Sequence, residues 1–597
     1  MNGAILLLGG CALFTLAYLF YSKFIARAIG VDPARPTPAH TMKDGIDFVP
    51  AHPMVLFGHH FAAIAGAGPI IGPVLAAQFG WASVALWIIF GCIFIGAMHD
   101  MITLFLSVRH SGRSIGTIIE DVLGRSGKMI FLMFCFTALV LVMSVFTGQV
   151  AQAFTASPEV ATSSILGMIE AAVFGLCVYK LRWNVWWASL VFVPLLFFLV
   201  WVGVVFPFDL TKMFGMSADT ATNVWIGVIL VYCFVASTLP VWLLLQPRDY
   251  LNSYLLYAML ALGLVGILVV MPAVDIDAFV GFSQTIQKKM ADGTTAPVTN
   301  MLFPLLFVTV ACGACSGFHA LVASGTTSKQ LDNERHVRPI GYGCMLLEGV
   351  VALMSLVSVA CVGLGQAGLL EKLGEVDRPV VLFAHGLASI CAKMGLPAKS
   401  AEGFILLAVA AFLLTSVDAC TRLARFVWQE LWSTAAGGAK ETPAAGGEKA
   451  PKKSPFLVRL NGNMYFATLV VVLIGVYLLI FDPVLSKNLW TMFASANQML
   501  AALTLLTATL WLLKNRLSWW IALLPMMFML VTSGTAVFQL FMLSAGRWLK
   551  VGFGAGGITA IGSATLLALA AVLVVLGILK LRKLVKNRVL QSIAAKK

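Results

Sequence analysis

The residues whose types and spacing point most clearly to a functional site lie near the N-terminus, in the stretch Gly58–Pro73 (GHHFAAIAGAGPIIGP). Proline removes a backbone amide donor and glycine loosens a helix, so an uninterrupted helix is not expected here. Inside a membrane, a broken helix is tolerated only where it is buried in protein or lines a watery cavity. The stretch therefore predicts half of a substrate or ion site, with Gly66, Gly68 and Pro69 at the break.

A second stretch, Ser316–Ser328 (SGFHALVASGTTS), repeats this pattern loosely. An aromatic residue stands beside a histidine, small residues follow, and a glycine precedes polar groups. Paired interrupted helices in two halves of a chain point to the binding site of a secondary transporter. Amides at a helix start attract a carboxylate, and threonine hydroxyls can donate to it. The predicted substrate residues of this second break are Ser324, Gly325, Thr326 and Thr327, and the alternative is a plain kink.

Histidine is the side chain that titrates nearest neutrality, so His60 and His319 are candidate substrate donors or proton carriers. His59 projects about 100° away from His60 on a helix, so both cannot face one ligand. The alternative role is a hydrogen bond between helices. No metal site is expected.

Asp418 is the strongest ion candidate, because a carboxylate within a membrane segment is costly unless it is paired or coordinating. It would bind a coupling cation, accept a proton, or pair with Arg422 one turn on. Glu170, inside another apolar segment, is a second candidate proton carrier. Glu348 and Asp100 are interpreted as polar contacts between helices.

Arg248 and Asp249 lie in the sequence QPRDY, which is predicted to form a cytoplasmic turn between two helices. There they would pair with each other or with a neighbouring loop, as part of an inner gate. Asn497 and Gln498 would supply amides to the cavity or join helices.

Composition excludes a soluble protein. The chain has 597 residues, of which 60% are hydrophobic and 11% charged, with a mean hydropathy of +0.93. Soluble domains are about one quarter charged. The Lys and Arg residues that give the net charge of +14 lie mostly in short loops, as the positive-inside rule expects. The charge therefore does not indicate nucleic-acid binding. Cys312 and Cys315 have metal-site spacing but no partner ligands, so packing is expected.

At about 20 apolar residues per span, the chain predicts an all-α polytopic membrane protein with about 15 transmembrane helices. Loop charges place the N-terminus outside and the C-terminus in the cytoplasm. The broken helices, about 52–79 and 301–328, then run in opposite directions, and two sets of five helices form an inverted repeat. The predicted loop 272–300 is extracytoplasmic, and the short apolar segment Pro379–Met394 is a re-entrant segment or lid. The predicted units are 1–50, 51–210, 211–300, 301–432 with 456–515, the flexible cytoplasmic linker 433–455, and 516–597.

Several long stretches resemble the carbon-starvation protein (CstA) family, over about residues 4–513. They are Gly58–Pro73, Leu239–Asn252, Ser316–Gln330 with Ile340–Gly343, and Ala496–Gln498 with Leu500–Ala502. The resemblance implies a LeuT-like 5+5 fold whose first and sixth core helices are unwound around the substrate. It also implies uptake of peptides, or of pyruvate with protons, across the bacterial inner membrane. Thr415 and Ser416 resemble the hydroxyl pair that holds sodium in LeuT-type transporters. The linker and the C-terminal part carry no motif of the family.

The expected function is secondary active import of a pyruvate-like organic acid or short peptides during nutrient limitation, by proton or sodium symport. Small-molecule substrate and membrane lipid are the expected partners, with no cofactor, no catalytic residue and no nucleic acid. Two alternatives remain. One is an intramembrane enzyme that uses His59, His60 and Asp100 on a lipid, and the other is a nutrient sensor built on a transporter scaffold.

Overall fold

The computed structural model describes residues 1–44, 48–240, 243–289, 295–375, 379–435, 456–481, 483–553 and 556–594. Within these residues, 13 helices are long and apolar enough to cross a membrane, or up to 15 if each of two bent pairs counts as one span. The predicted all-helical membrane fold is confirmed. Apolar runs of this length fold as helices because a helix satisfies its own backbone groups within lipid.

In chain order, the main helices are α1 (Gly3–Ile29), α2 (Pro53–Ile64), α3 (Gly68–Phe79), α4 (Trp81–Arg109), α5 (Ile115–Ala156), α6 (Pro158–Lys180), α7 (Val185–Val205), α8 (Ala218–Thr238), α9 (Leu245–Val270), α10 (Leu302–Val310), α11 (317–330), α12 (Glu334–Ala360), α13 (Gly365–Glu375), α14 (Pro379–Lys393), α15 (Ala398–Ala435), α16 (Phe456–Gly462), α17 (Met464–Ile480), α18 (Pro483–Lys514), α19 (Trp520–Val551) and α20 (Gly557–Ala594). Short helices also lie at Pro38–Thr41 and Leu210–Phe214.

The first predicted break is confirmed. Helices α2 and α3 meet at an angle of 46° across the residues between Ile64 and Gly68. Ala65 leaves the helical conformation with ψ +61°, and Pro69 stands in the first turn of α3. Proline is tolerated in a first turn because its missing amide has no helical acceptor there.

The second break exists, but its predicted position was wrong. Helix α10 ends at Val310, Ala311 adopts φ +36°, and Ser316 is extended before α11 begins. Residues Ala323–Thr327 instead form one widened turn inside α11. In that turn Ser324 and Thr326 donate to the carbonyls of Ala320 and Val322, four residues back. Small residues between Ala311 and Ser316 break the helix, whereas the hydroxyls of Ser324 and Thr326 are satisfied within α11.

Two further boundaries differ from prediction. The sequence QPRDY forms the first turns of α9 rather than a turn between helices, because Pro247 is compatible with a helix start. The predicted loop 272–300 contains an antiparallel hairpin of β1 (Ser283–Lys289) and β2 (Thr295–Met301). Thr285 pairs with Thr299 at its centre.

The apolar segment after α13 is helix α14, which is buried against α12 and α15. A methyl group on Gly386 would lie 2.3 Å from the Ser358 carbonyl oxygen, so the two helix backbones touch. The element order matches two five-helix sets, each opened by an interrupted helix. The unit boundaries stay predictions, and residues 436–455 of the predicted linker lie outside the described residues.

Candidate functional site

The two helix breaks are in direct contact. A methyl group on Gly68 would lie 2.4 Å from Cβ and 2.6 Å from Sγ of Cys312. One turn further along α3, a methyl group on Gly72 would lie 2.6 Å from the Thr309 carbonyl oxygen. Only glycine permits an approach this close, so these residues bring the start of α3 onto the end of α10.

A small cavity of about 10 Å³, room for about one water molecule, lies at this junction. Residues from both breaks and from helices α5, α15 and α18 line it, namely Ile64, Gly66, Val142, Phe146, Cys312, Phe318, Ser416 and Phe493. Every lining residue is buried. The cavity is therefore an enclosed and mostly apolar chamber between the interrupted helices.

Few polar groups face the cavity. Ser416 Oγ is buried and has no hydrogen-bond partner among the described residues. It lies 2.9 Å from where a methyl group on Gly66 would stand, so the hydroxyl faces the first break. Ile70 and Ile71 donate their amides to the Ala67 carbonyl and Pro69 has no amide proton, so Gly68 carries the one first-turn amide that α3 itself cannot satisfy. The positive end of the helix dipole favours an anion there. This side of the cavity can accept a small carboxylate.

The start of α11 is already capped by a side chain. Asn497 Oδ1 accepts from the Phe318 amide at 2.8 Å, and its Nδ2 donates to Ser316 Oγ at 3.1 Å. The neighbouring Gln498 donates to the carbonyl of Phe307, on α10, at 2.6 Å. Two adjacent amides on α18 therefore hold both sides of the second break, which agrees with the helix-joining role considered for them.

The two candidate histidines lie outside the cavity, in what we term the histidine–carboxylate cluster. All six members have 0% exposure, and they are His60, His99, Asp100, His319, Thr327 and Glu348. His60 Nδ1 bonds to Thr327 Oγ1 at 2.8 Å. His319 Nδ1 bonds to Asp100 Oδ2 at 2.7 Å, and its Nε2 lies 3.3 Å from Glu348 Oε2. The predicted difference between His59 and His60 holds, since His59 is only half-buried.

Asp418 lies in a second buried polar group. Its carboxylate forms an ion pair with Arg248 and accepts a hydrogen bond from Tyr232 at 2.7 Å. Arg248 also lies 3.5 Å from Asp249. The predicted Arg248–Asp249 pairing is present, but it is buried in α9 and extends to α15 instead of to a neighbouring loop. Arg422, the partner considered for Asp418, donates to the carbonyls of Ala236 and Leu239.

The remaining candidates are dispersed. Thr415 donates to the carbonyl of Ala411 at 3.0 Å, and its hydroxyl also lies close to Asp249. Only Ser416 of that pair faces the cavity. Both carboxylate oxygens of Glu170 are buried without a hydrogen-bond partner in the described part of the chain. Substrate binding by Ser324, Gly325, Thr326 and Thr327 stays a prediction, since none of them lines the cavity.

Three aromatic residues of the cavity, Phe146, Phe318 and Phe493, were not predicted. Apolar side chains of this kind occur throughout the chain, and only the fold selects which ones meet. Asp100 and Glu348 each contact His319 of another helix, which agrees with the polar contacts between helices considered for them. The sequence carries no signal that both approach the same histidine.

The sequence matches known proteins over most of its length. A profile described as "Carbon starvation protein CstA" matches residues 2–375 and 364–536. "Peptide transporter CstA" of Escherichia coli (strain K12) is 34% identical over 596 residues, which cover 90% of this chain and 81% of that protein. "Pyruvate/proton symporter BtsT" of the same organism is 32% identical over 594 residues, covering 88% of this chain and 80% of that protein.

Solved structures give weaker similarities. A manganese transporter of Eremococcus coleocola, in complex with an aromatic bis-isothiourea substituted compound, has a TM-score of 0.45 at 12% identity, covering 91% of this chain and 99% of that chain. MhsT in complex with L-phenylalanine has a TM-score of 0.43 at 12% identity, covering 87% of this chain and 99% of that chain. The profile and the named relatives together confirm the resemblance seen in the sequence: the chain belongs to the carbon starvation protein CstA family, whose members named here are membrane transporters.

Proposed function

We propose that this protein imports a small organic acid of the pyruvate class by secondary active transport, with the substrate bound in the cavity between the two helix breaks. The observation that carries the proposal is the enclosed cavity at the contact of two interrupted helices. Interrupted helices place unpaired backbone groups at membrane depth, which is how secondary transporters hold polar substrates. The names of two relatives, a peptide transporter and a pyruvate/proton symporter, support the same class of function.

The size of the cavity favours a small substrate. In this closed arrangement the cavity has room for about one water molecule, so the two breaks must move apart to admit any substrate. A three-carbon acid requires less movement than a peptide does. The start of α3 and Ser416 Oγ would receive the carboxylate, and the three phenylalanines would cover its methyl group.

The driving force would be a proton or sodium gradient across the bacterial inner membrane. The loop charges support an outside N-terminus and a cytoplasmic C-terminus. Import would follow an alternating-access cycle in which α3 and α11 move relative to the helices behind them. Asp418 stays a predicted coupling residue, but its ion pair with Arg248 supports a structural role between α9 and α15.

Uptake into proteoliposomes tests the proposal. The purified full chain is reconstituted, and labelled pyruvate and a labelled dipeptide are supplied separately under imposed proton or sodium gradients. We expect concentrative pyruvate uptake under one gradient and little dipeptide uptake. Dipeptide uptake without pyruvate uptake would mean that the substrate is a peptide and not an acid of the pyruvate class. Saturable binding without transport of either probe would contradict the proposal and favour a sensor.

A further inference from the structure

The histidine–carboxylate cluster joins both interrupted helices to two of their neighbours. His60 lies in the last turns of α2, before the first break, and His319 lies in the first turn of α11, after the second break. Asp100 lies on α4 and Glu348 on α12. These four side chains are all 0% exposed. Ionisable groups buried this deeply in a membrane segment mark functional sites by default.

Asp100 fixes which nitrogen of His319 can exchange a proton. A carboxylate accepts hydrogen bonds, so its 2.7 Å contact assigns the Nδ1 proton of His319 to that bond. His99 Nδ1 occupies the other oxygen of Asp100 at 2.8 Å. The neutral His319 ring therefore presents a bare Nε2 toward Glu348 Oε2, 3.3 Å away. One proton placed between these two atoms can reside on either of them.

Glu348 lacks other stabilisation in its charged form. Neither of its oxygens has a hydrogen bond within the described ranges of the chain. A buried carboxylate without donors is costly as an anion, and the anionic Asp100 nearby increases that cost. The other titratable groups around the cluster are His59 and His60 on α2, His99 and Cys92 on α4, Cys312 and Cys315 at the second break, and Cys344 on α12. Glu348 and His319 therefore form a pair in which two facing atoms, Oε2 and Nε2, can share one added proton.

This pair lies directly behind the proposed substrate cavity. Phe318, the residue before His319, lines the cavity, and so does Ile64, whose backbone lies close to the His319 ring. A change in charge on His319 therefore alters the electrostatic environment of both breaks. The Asp418 carboxylate, in contrast, is already paired with Arg248.

We propose that Glu348 and His319 form the proton-binding site that couples transport, with Asp100 as the residue that orients His319. This inference rests on the proposed transport function and names the coupling ion as a proton. One proton from the outer side would add to a Glu348 carboxylate oxygen and be shared with His319 Nε2, so the loaded site exchanges between a neutral carboxyl–imidazole pair and a carboxylate–imidazolium pair. After the breaks open inward, the same proton would leave to cytoplasmic water and restore neutral His319. A metal is not the expected occupant, since no group of three metal-ligating side chains suited to an ion is found among the residues described.

The first experiment separates proton coupling from substrate movement. Wild type, Glu348→Gln and His319→Gln are reconstituted with labelled pyruvate as the probe. Pyruvate counterflow at equal pH measures exchange, and an inwardly directed proton gradient measures accumulation. We expect both variants to retain exchange within about threefold of wild type and to lose at least tenfold in gradient-driven accumulation, because a proton-independent cycle remains possible when the carrier is neutral. Asp219→Asn, the loss of an exposed carboxylate at the start of α8, is the matched control and should change neither rate.

The second experiment does not depend on transport. Infrared difference spectra between acidic and alkaline pH should show a protonated-carboxyl band in wild type that Glu348→Gln removes and Asp219→Asn retains. If wild type exchanges no pyruvate, the proposed function fails for that substrate while the infrared band still tests the proton site. An unchanged band in Glu348→Gln would overturn the inference. The inference would also be overturned if Glu348→Gln accumulated pyruvate at the wild-type level. It would be overturned as well if Asp418→Asn alone retained exchange but lost gradient-driven accumulation.

Discussion

Gly68 packs directly against Cys312, so the first residue of one interrupted helix touches the break of the other. The cavity begins at this contact, with Gly66 on one side and Cys312 on the other. Neither residue carries a charge or an unusual side chain. The site forms because Gly68 has no side chain, which lets the backbones of the two breaks approach each other.

Gly68→Ala should weaken substrate binding. The new methyl group would stand 2.4 Å from Cys312 Cβ, so the two breaks must separate. We expect the KM for pyruvate uptake to rise by about tenfold, equivalent to about 1.4 kcal/mol. Gly227→Ala on α8 is the control, because nothing lies within 4 Å of its added methyl group. An unchanged KM in Gly68→Ala would mean that the break is a kink without a role in binding.

Asn497→Ala should destabilise the second break. The substitution leaves the buried Phe318 amide and Ser316 hydroxyl without their partner, which costs about 1–3 kcal/mol. We expect a lower midpoint temperature for thermal unfolding in detergent, together with reduced pyruvate affinity. The control is Asn515→Ala, which removes an exposed amide that donates to the Trp511 carbonyl four residues back. Equal midpoints for Asn497→Ala and wild type would contradict the capping role.

The Asp418–Arg248 ion pair should act mainly on stability. Removing one partner of a buried pair leaves an uncompensated charge and costs about 3–5 kcal/mol, so Asp418→Asn and Arg248→Gln should each lower the unfolding midpoint. The double variant Arg248→Met with Asp418→Leu should recover part of the loss, because apolar groups of similar volume can replace a buried pair. If Asp418→Asn keeps the wild-type midpoint but abolishes accumulation, Asp418 is a coupling residue instead.

The sequence predicted the spans and the first break well, because both depend on local properties. Apolar length determines a span, and Gly66, Gly68 and Pro69 break a helix wherever it packs. The second break was misplaced because the Ser324 and Thr326 hydroxyls donate to backbone carbonyls inside α11, while the non-helical conformation lies at Ala311. Which side chains meet across helices could not be predicted. His319 was identified from its type, but its approach to Asp100 and Glu348 depends on how α4, α11 and α12 pack together.

The orientation in the membrane can be tested by labelling. Loop charges predict that the β1–β2 hairpin lies outside and that the segment after α15 lies in the cytoplasm. Thr285→Cys, at an exposed position of the hairpin, should react with a membrane-impermeant maleimide in intact cells. Ala444→Cys, which lies outside the described residues, should react only after the cells are opened. The reverse pattern would invert the topology.

Substrate protection of Cys312 tests the central claim most directly, namely that the two breaks enclose the substrate. In a variant that retains Cys312 and has the other ten cysteines replaced by alanine or serine, alkylation by a small maleimide is followed by mass spectrometry with and without pyruvate. Cys312 lines the cavity, so we expect pyruvate to slow its modification in a saturable way, at the concentrations that saturate uptake. A matched variant that retains only Cys391, which is buried in α14 and does not line the cavity, should show no protection. Modification of Cys312 at the same rate with and without pyruvate, in a variant that still transports it, would contradict the account.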